Sequence, residues 1–266
     1  SLLNRIGKTS DTASANKAIA GQPKAERQGD GGGQAIETGK AATPAPMPPI
    51  DASTYECVTT LDRLDHWIAE ATKAGVVGFD TETDSLEAVT ARLVGFSLAT
   101  APGTACYVPL AHGGTDMFAE KPEQIPLDAA LARLKPLLED ASVLKVGQNL
   151  KYDMSVLRQH GLTIAPFDDT MVMSFALDAG RQGHGMDELS ELWLGHEPIS
   201  YKSLTGTGKS QIGFAEVPLV EATKYAAEDA DVTLRLWHHL KLRLSPEKVT
   251  RVYEMVDRPV VPVLSK

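Results

Sequence analysis

Several carboxylates in this chain occupy positions that the periodicity of their neighbours assigns to the interior. The short apolar run Val76-Val-Gly-Phe79 leads directly into Asp80-Thr-Glu-Thr-Asp84. Alternate residues of a strand share a face, so Asp80 and Glu82 lie on one side, about 7 Å apart along the chain. Two negative charges that close raise each other's proton affinity unless a cation lies between them. Further on, Val143–Val146 reads as a strand, and a helix follows it to His160, before Gly161. Leu150, Asp153 and Leu157 fall at i, i+3 and i+7 of that helix, which puts a carboxylate on its apolar stripe. Asn149 stands where a helix N-cap is expected. In a final long helix, Leu219–Leu244, Tyr225, Asp229, Val232 and Leu236 recur on one stripe and aim Asp229 inward beside a phenol. Glu221, Lys224, Glu228, Asp231 and Arg235 fall on the other side. Glu228 and Asp231 therefore read as a solvated face, supported at i,i+4 by Lys224 and Arg235.

A lone Asp-x-Glu is common in solvated turns, but here three elements all send acids toward one sheet. With no basic residue on those stripes, burial demands compensation. A ligand set made only of oxygen suits Mg²⁺ or Mn²⁺ rather than zinc or copper, and the chemistry it favours is two-metal phosphoryl transfer. Other signals are weaker. Cys57 and Cys106 lack metal-ligand spacing and read as reduced thiols. Gly206-Thr-Gly-Lys-Ser210 imitates the end of a phosphate-binding loop, but Ser203 stands where the leading glycine is required, so it reads as a mobile loop. His238-His239 has no third ligand in view and reads as a solvated pair.

Residues 1–50 are rich in Gly, Ala, Ser, Thr and Pro, end in Pro44-Ala-Pro-Met-Pro-Pro49, and read as a disordered interdomain linker. From Tyr55 the texture becomes that of a folded domain. A helical run (Leu61, Leu64, Trp67, Ile68, Ala71) precedes the first strand. Leu93–Leu98 and Ala105–Leu110 form a hairpin around Ala101-Pro-Gly103, and Leu127–Leu138 is helical. A hairpin followed by alternating strands and helices implies a mixed α/β sheet. Net charge is −9, although residues 1–50 carry six basic and four acidic side chains. So acidic a body is a poor general clamp for nucleic acid, yet it fits an enzyme whose centre is neutralised by metal ions. The sequence has neither an apolar run of membrane-spanning length nor a secretory leader, so no membrane association is expected and the cytoplasm is the expected compartment.

The segments Phe79-Asp-Thr-Glu-Thr-Asp-Ser-Leu86, Val146-Gly-Gln-Asn-Leu-Lys-Tyr-Asp153 and Tyr225-Ala-Ala-Glu-Asp-Ala-Asp-Val-Thr233 resemble the three exonuclease motifs of bacterial DNA polymerase I. These belong to the DEDD superfamily, in the subclass with tyrosine in the third motif. The resemblance runs over residues 51–266 and implies an RNase H-like mixed sheet flanked by helices. It divides the chain into a linker (1–50), a 3′-5′ exonuclease domain (51–245) and the start of a polymerase domain (246–266). It implies two divalent ions, Mg²⁺ or Mn²⁺. Asp80, Glu82 and Asp229 would hold the first, Asp80 and Asp153 would serve the second, and Tyr225 and Glu82 would orient a water. DNA contacts are implied at Thr83, Leu86, Gln148, Asn149, Tyr152, Arg181 and Tyr201. The implied partners are a frayed DNA 3′ end and the polymerase portion of the same chain, acting as a monomer. Two rival readings are a stand-alone RNA exonuclease resembling RNase D and a non-catalytic polymerase domain. The retention of all four acids and the tyrosine argues against the second.

Overall fold

The computed structural model describes residues 45–113 and 122–265; the expected linker lies outside the described residues except for 45–50. Six strands form one mixed sheet in the order β1-β4-β3-β2-β5-β6. They are β1 (Glu56–Cys57), β2 (Val76–Thr83), β3 (Leu93–Ala101), β4 (Thr104–Pro109), β5 (Leu144–Gly147) and β6 (Phe167–Asp169). The expected hairpin is β3–β4, antiparallel, and β3 also runs antiparallel to β2. On the far side of β2, strands β5 and β6 are parallel additions. This is the mixed α/β class that the element order implies.

Helices α1 (Leu61–Ala74), α2 (Leu127–Glu139) and α3 (Lys151–Arg158) share one apolar core with the odd-numbered side of β2. Thr60 caps α1 through its side chain, and Gly75, in the left-handed region at φ 72°, ends it. After β6 come α4 (Thr170–Asp178), α5 (Met186–Leu194), α6 (Tyr201–Thr205) and the 26-residue α7 (Leu219–Leu244). α7 packs across β2, β3, β4 and β5. Small side chains permit the approach: Ala226, Ala227 and Ala230 are fully buried. A Cβ placed on Gly78 would lie 2.5 Å from the Ala230 carbonyl oxygen and 3.2 Å from Leu234 Cβ. Gly78 therefore faces α7, and by the strand's period of two so do Asp80 and Glu82. No helix among the described residues is long and apolar enough to cross a membrane.

The expectation of a solvated charged face on α7 is overturned for Glu228, Asp231 and Arg235, although Glu221 in the first turn is exposed. Glu228 is 2% exposed, Asp231 0% and Arg235 4%. Asp231 accepts from the Tyr55 hydroxyl (2.8 Å), the Gly103 amide (2.9 Å) and Arg235 Nε (2.9 Å). Glu228 bonds His196 Nε2 at 2.9 Å and accepts from the Ile199 amide at 2.7 Å. Periodicity marks the sheet-facing stripe correctly, but the opposite side of this helix is covered by other segments that supply donors, so these acids are structural anchors. The expected solvated pair His238 and His239 is half-buried as well, and His239 packs on Trp193 with ring centroids 4.6 Å apart.

Gly78→Ala is expected to push α7 off the sheet, lowering unfolding stability by about 1–3 kcal/mol, the usual cost of overpacking a core. Urea unfolding checks this, and an unchanged midpoint would mean that the contact yields freely.

Candidate metal and catalytic site

Strand β2 and helix α7 bring Asp80, Glu82 and Asp229 together, each offering one oxygen, with all three oxygens within 4.8 Å of one another and all three residues buried. Asp80 and Glu82 arrive by strand alternation, and Asp229 arrives because Ala230, its neighbour, touches β2 at Gly78. The same three residues were picked out by periodicity.

Asp153 reaches the site from the opposite face of β2. Its Oδ1 accepts from the Thr81 amide (3.0 Å) and the Thr81 hydroxyl (2.5 Å), and Thr81 points away from the side of Asp80 and Glu82. This is why Asp153 stands outside the tight group of three. Its Oδ2 is buried and has no hydrogen-bond partner among the described residues. Burial, followed by the negative charge of Asp80, pushes the Asp153 carboxyl up to about 8. A set of hard oxygen donors that includes one buried oxygen without a partner fits divalent cations of the Mg²⁺ class.

Phenols surround the acids. Tyr225 lies edge-on to Tyr201, with centroids 6.2 Å apart, and 5.7 Å from Phe214. Burial and then the charge of Glu82 push Tyr201 up to about 12. Tyr152 is raised to about 12, mainly by burial, with the charges of Asp153, Glu82 and Asp80 adding. Its hydroxyl shares a short hydrogen bond with Thr83 Oγ1, and both hydroxyl oxygens lie within hydrogen-bond distance of the Ser85 carbonyl, so one hydroxyl donates to that carbonyl and the other to its hydroxyl neighbour. Thr83, Tyr152 and the segment at Ser85 are thus one unit beside the acids, and Leu86, 41% exposed, is next along the chain.

Gln148 donates to the His184 carbonyl at 2.9 Å and accepts from the Thr170 hydroxyl, which ties the 180–185 loop to the end of β5. Arg181 pairs with Asp178 at 3.2 Å, and Asp178 is gripped in turn by Arg243 of α7. Asn149, expected to cap α3 through its side chain, does not. It takes the left-handed conformation (φ 63°), and the helix begins after Leu150 with no side-chain cap of its own. The carboxylate of Asp169 supplies the missing acceptor, taking the Asn149 amide at 3.1 Å and the Leu150 amide at 2.8 Å. Sequence reasoning missed Thr81 and Asp169. The Asp168-Asp169-Thr170 run ahead of an apolar helix was a legible N-cap signal for α4, where Asp169 accepts from Met171 and Val172, but its reach back to α3 was not.

The Asp153 shift makes a prediction. An acid whose pKa is raised on folding stabilises the fold below its unfolded value, near 4, and loses that contribution as pH rises toward 8. With chelator present, Asp153→Asn should unfold at higher urea than the unsubstituted chain at pH 8, and at nearly the same urea at pH 4. Equal midpoints at pH 8 would show that Asp153 is not held at a cost.

A family profile described as 3′-5′ exonuclease matches residues 55–245. The chain is 52% identical over 231 residues to a DNA polymerase I of Rhizobium leguminosarum, covering 82% of this chain and 23% of that protein. It is 42% identical over 238 residues to a DNA polymerase I of Pseudomonas aeruginosa, covering 88% of this chain and 25% of the relative. The chain thus spans about a quarter of these relatives' length. Among solved structures, Brucella melitensis NrnC with bound Mg²⁺ has the same fold, at 22% identity and a TM-score of 0.54, covering 79% of this chain and 89% of that one.

Proposed function

Since the chain belongs to the 3′-5′ exonuclease family of DNA polymerase I, we propose that it hydrolyses nucleotides from a DNA 3′ end, as the proofreading portion of a longer bacterial polymerase working in the cytoplasm. The observation that carries this reading is the group of three buried carboxylates within 4.8 Å of one another, with Asp153 across the strand.

Asp80, Glu82 and Asp229 would hold one divalent ion, and Asp80 with Asp153 a second. When bound, such ions supply Lewis acidity at the attacking water and at the departing 3′ oxygen. The protein's own side chains do the rest. Glu82 and Tyr225 are assigned to orienting the water in line with the terminal phosphorus. Tyr225 is buried in an aromatic shell with Phe214 and Tyr201, and a phenol so placed acts as a rigid hydrogen-bonding post rather than as a base. Thr81 fixes one oxygen of Asp153 and leaves the other available. Thr83, Leu86, Gln148, Asn149, Tyr152, Arg181 and Tyr201 are assigned to the DNA. Exposed Leu86 is suited to wedge against a base, and the half-buried ring of Tyr201 to stack on one, contacts that accept any sequence. All the acids come from one chain, so a monomer suffices.

The test uses 5′-labelled single-stranded DNA, frayed duplex and RNA of equal length, with Mg²⁺ or chelator. A metal-dependent ladder shortening from the 3′ end, faster on DNA than on RNA, is expected. Asp229→Ala should slow it by about three orders of magnitude, because the charge stabilisation at stake is several kcal/mol. Equal rates in the variant and the unsubstituted chain would reject the reading, and a preference for RNA would favour an RNA-processing role.

A further inference from the structure

The family profile ends at residue 245, yet the chain beyond it folds back onto α3, the helix that bears Asp153. After the short helix Thr250–Val252 and a π turn at Tyr253–Asp257 comes α8 (Arg258–Leu264). We propose that residues 253–265 are a positioning element of the catalytic site, bracing α3 at both ends and so setting where Asp153 stands.

One tie lies at the start of α3. The Asp169 carboxylate holds the Asn149 and Leu150 amides, one turn ahead of Asp153. The backbone amide of Asp169 donates to the Tyr253 hydroxyl at 3.1 Å, and that hydroxyl donates to Asp168 Oδ1 at 2.9 Å. Asp168, fully buried, also accepts from Trp237 Nε1 (2.8 Å), Lys241 Nζ (3.0 Å) and Arg258 Nη1 (2.8 Å). Two adjacent acids thus do different work. Asp168 gathers α7 and the C-terminal segment, and Asp169 gathers the starts of α3 and α4.

The other tie lies at the end of α3. Arg158 donates through Nη2 to Ser265 Oγ at 3.1 Å and through Nη1 to the Ser265 carbonyl, and the Ser155 hydroxyl, 2.8 Å from the Lys151 carbonyl, also lies 3.0 Å from the Ser265 carbonyl and shares its proton between the two. Between the ties, Val261 is buried in the core that contains Val156 and Leu157. A two-turn helix has little rigidity of its own, so anchors at both ends decide where its third residue, Asp153, lies. The link to the metal rests on the reading proposed above, whereas the bracing of α3 does not.

The experiment uses the full chain with Tyr253→Phe, which removes only the bridging hydroxyl, and Arg158→Met, which keeps the aliphatic stem. Leu64→Ala serves as a control that weakens the core at α1. Amide hydrogen exchange without metal and Mn²⁺ binding by calorimetry are measured on each. In the two brace variants, exchange should rise about tenfold in residues 149–158 relative to β3 and β4. Mn²⁺ affinity should fall about tenfold, as it does when groups supporting a metal ligand are removed. Leu64→Ala should raise exchange evenly and leave Mn²⁺ affinity unchanged. Exchange in the brace variants that is unchanged, or raised evenly, would overturn the brace. Locally faster exchange with unchanged affinity would overturn its connection to the site. An unsubstituted chain that takes up no Mn²⁺ would refute the metal reading instead, and the exchange rates alone would then decide the brace.

Discussion

Mutual repulsion among buried carboxylates is the constraint on which this structure turns. Three of them have oxygens within 4.8 Å of one another, and a fourth sits across the same strand with one oxygen lacking a hydrogen-bond partner among the described residues. Such a group does not assemble by default, because burial and like charge both favour the protonated forms. The fold imposes it through close apolar packing elsewhere. The backbone of α7 reaches β2 only because residue 78 has no side chain and residues 226, 227 and 230 are alanines. The energy gained by burying that long helix holds the acids where they would not choose to be. This is how strain tolerated at a functional site is offset by consistency in the rest of the core.

The parts of this arrangement that were legible in the sequence are those governed by local period. Asp80 and Glu82 alternate along an apolar strand, and Asp153 and Asp229 each lie on an apolar helical stripe. All four are buried. Period fails where a partner is remote. Nothing near Asp231 announces that Tyr55 and Gly103 will donate to it, or that the Ile199 amide will meet Glu228, so both acids read as solvent-facing. Asn149 misled for a related reason. It is a residue type that caps helices, but here it takes a left-handed turn, and a carboxylate twenty residues away satisfies the helix start. Hydrogen bonds of high sequence separation leave no trace in a pattern of neighbours.

Electrostatics and packing divide the labour around the acids. Burial, with a smaller contribution from the carboxylates, keeps Tyr152 and Tyr201 protonated well past neutral pH, so these phenols remain hydrogen-bonding groups and flat surfaces. Thr81 and Asp169 fix the Asp153 side chain and the helix that bears it. The acidic balance of the chain, a liability for gripping DNA broadly, is compatible with the proposed role, in which the site would meet only a strand's end and the duplex would be held elsewhere.

These four acids are assigned to one cation-binding centre. Anomalous diffraction at the manganese edge, from crystals of this chain grown with Mn²⁺, addresses it directly. One peak is expected among Asp80, Glu82 and Asp229 and a second between Asp80 and Asp153 Oδ2. Well-ordered carboxylates with no anomalous peak among them, or a peak held by other residues, would contradict the assignment.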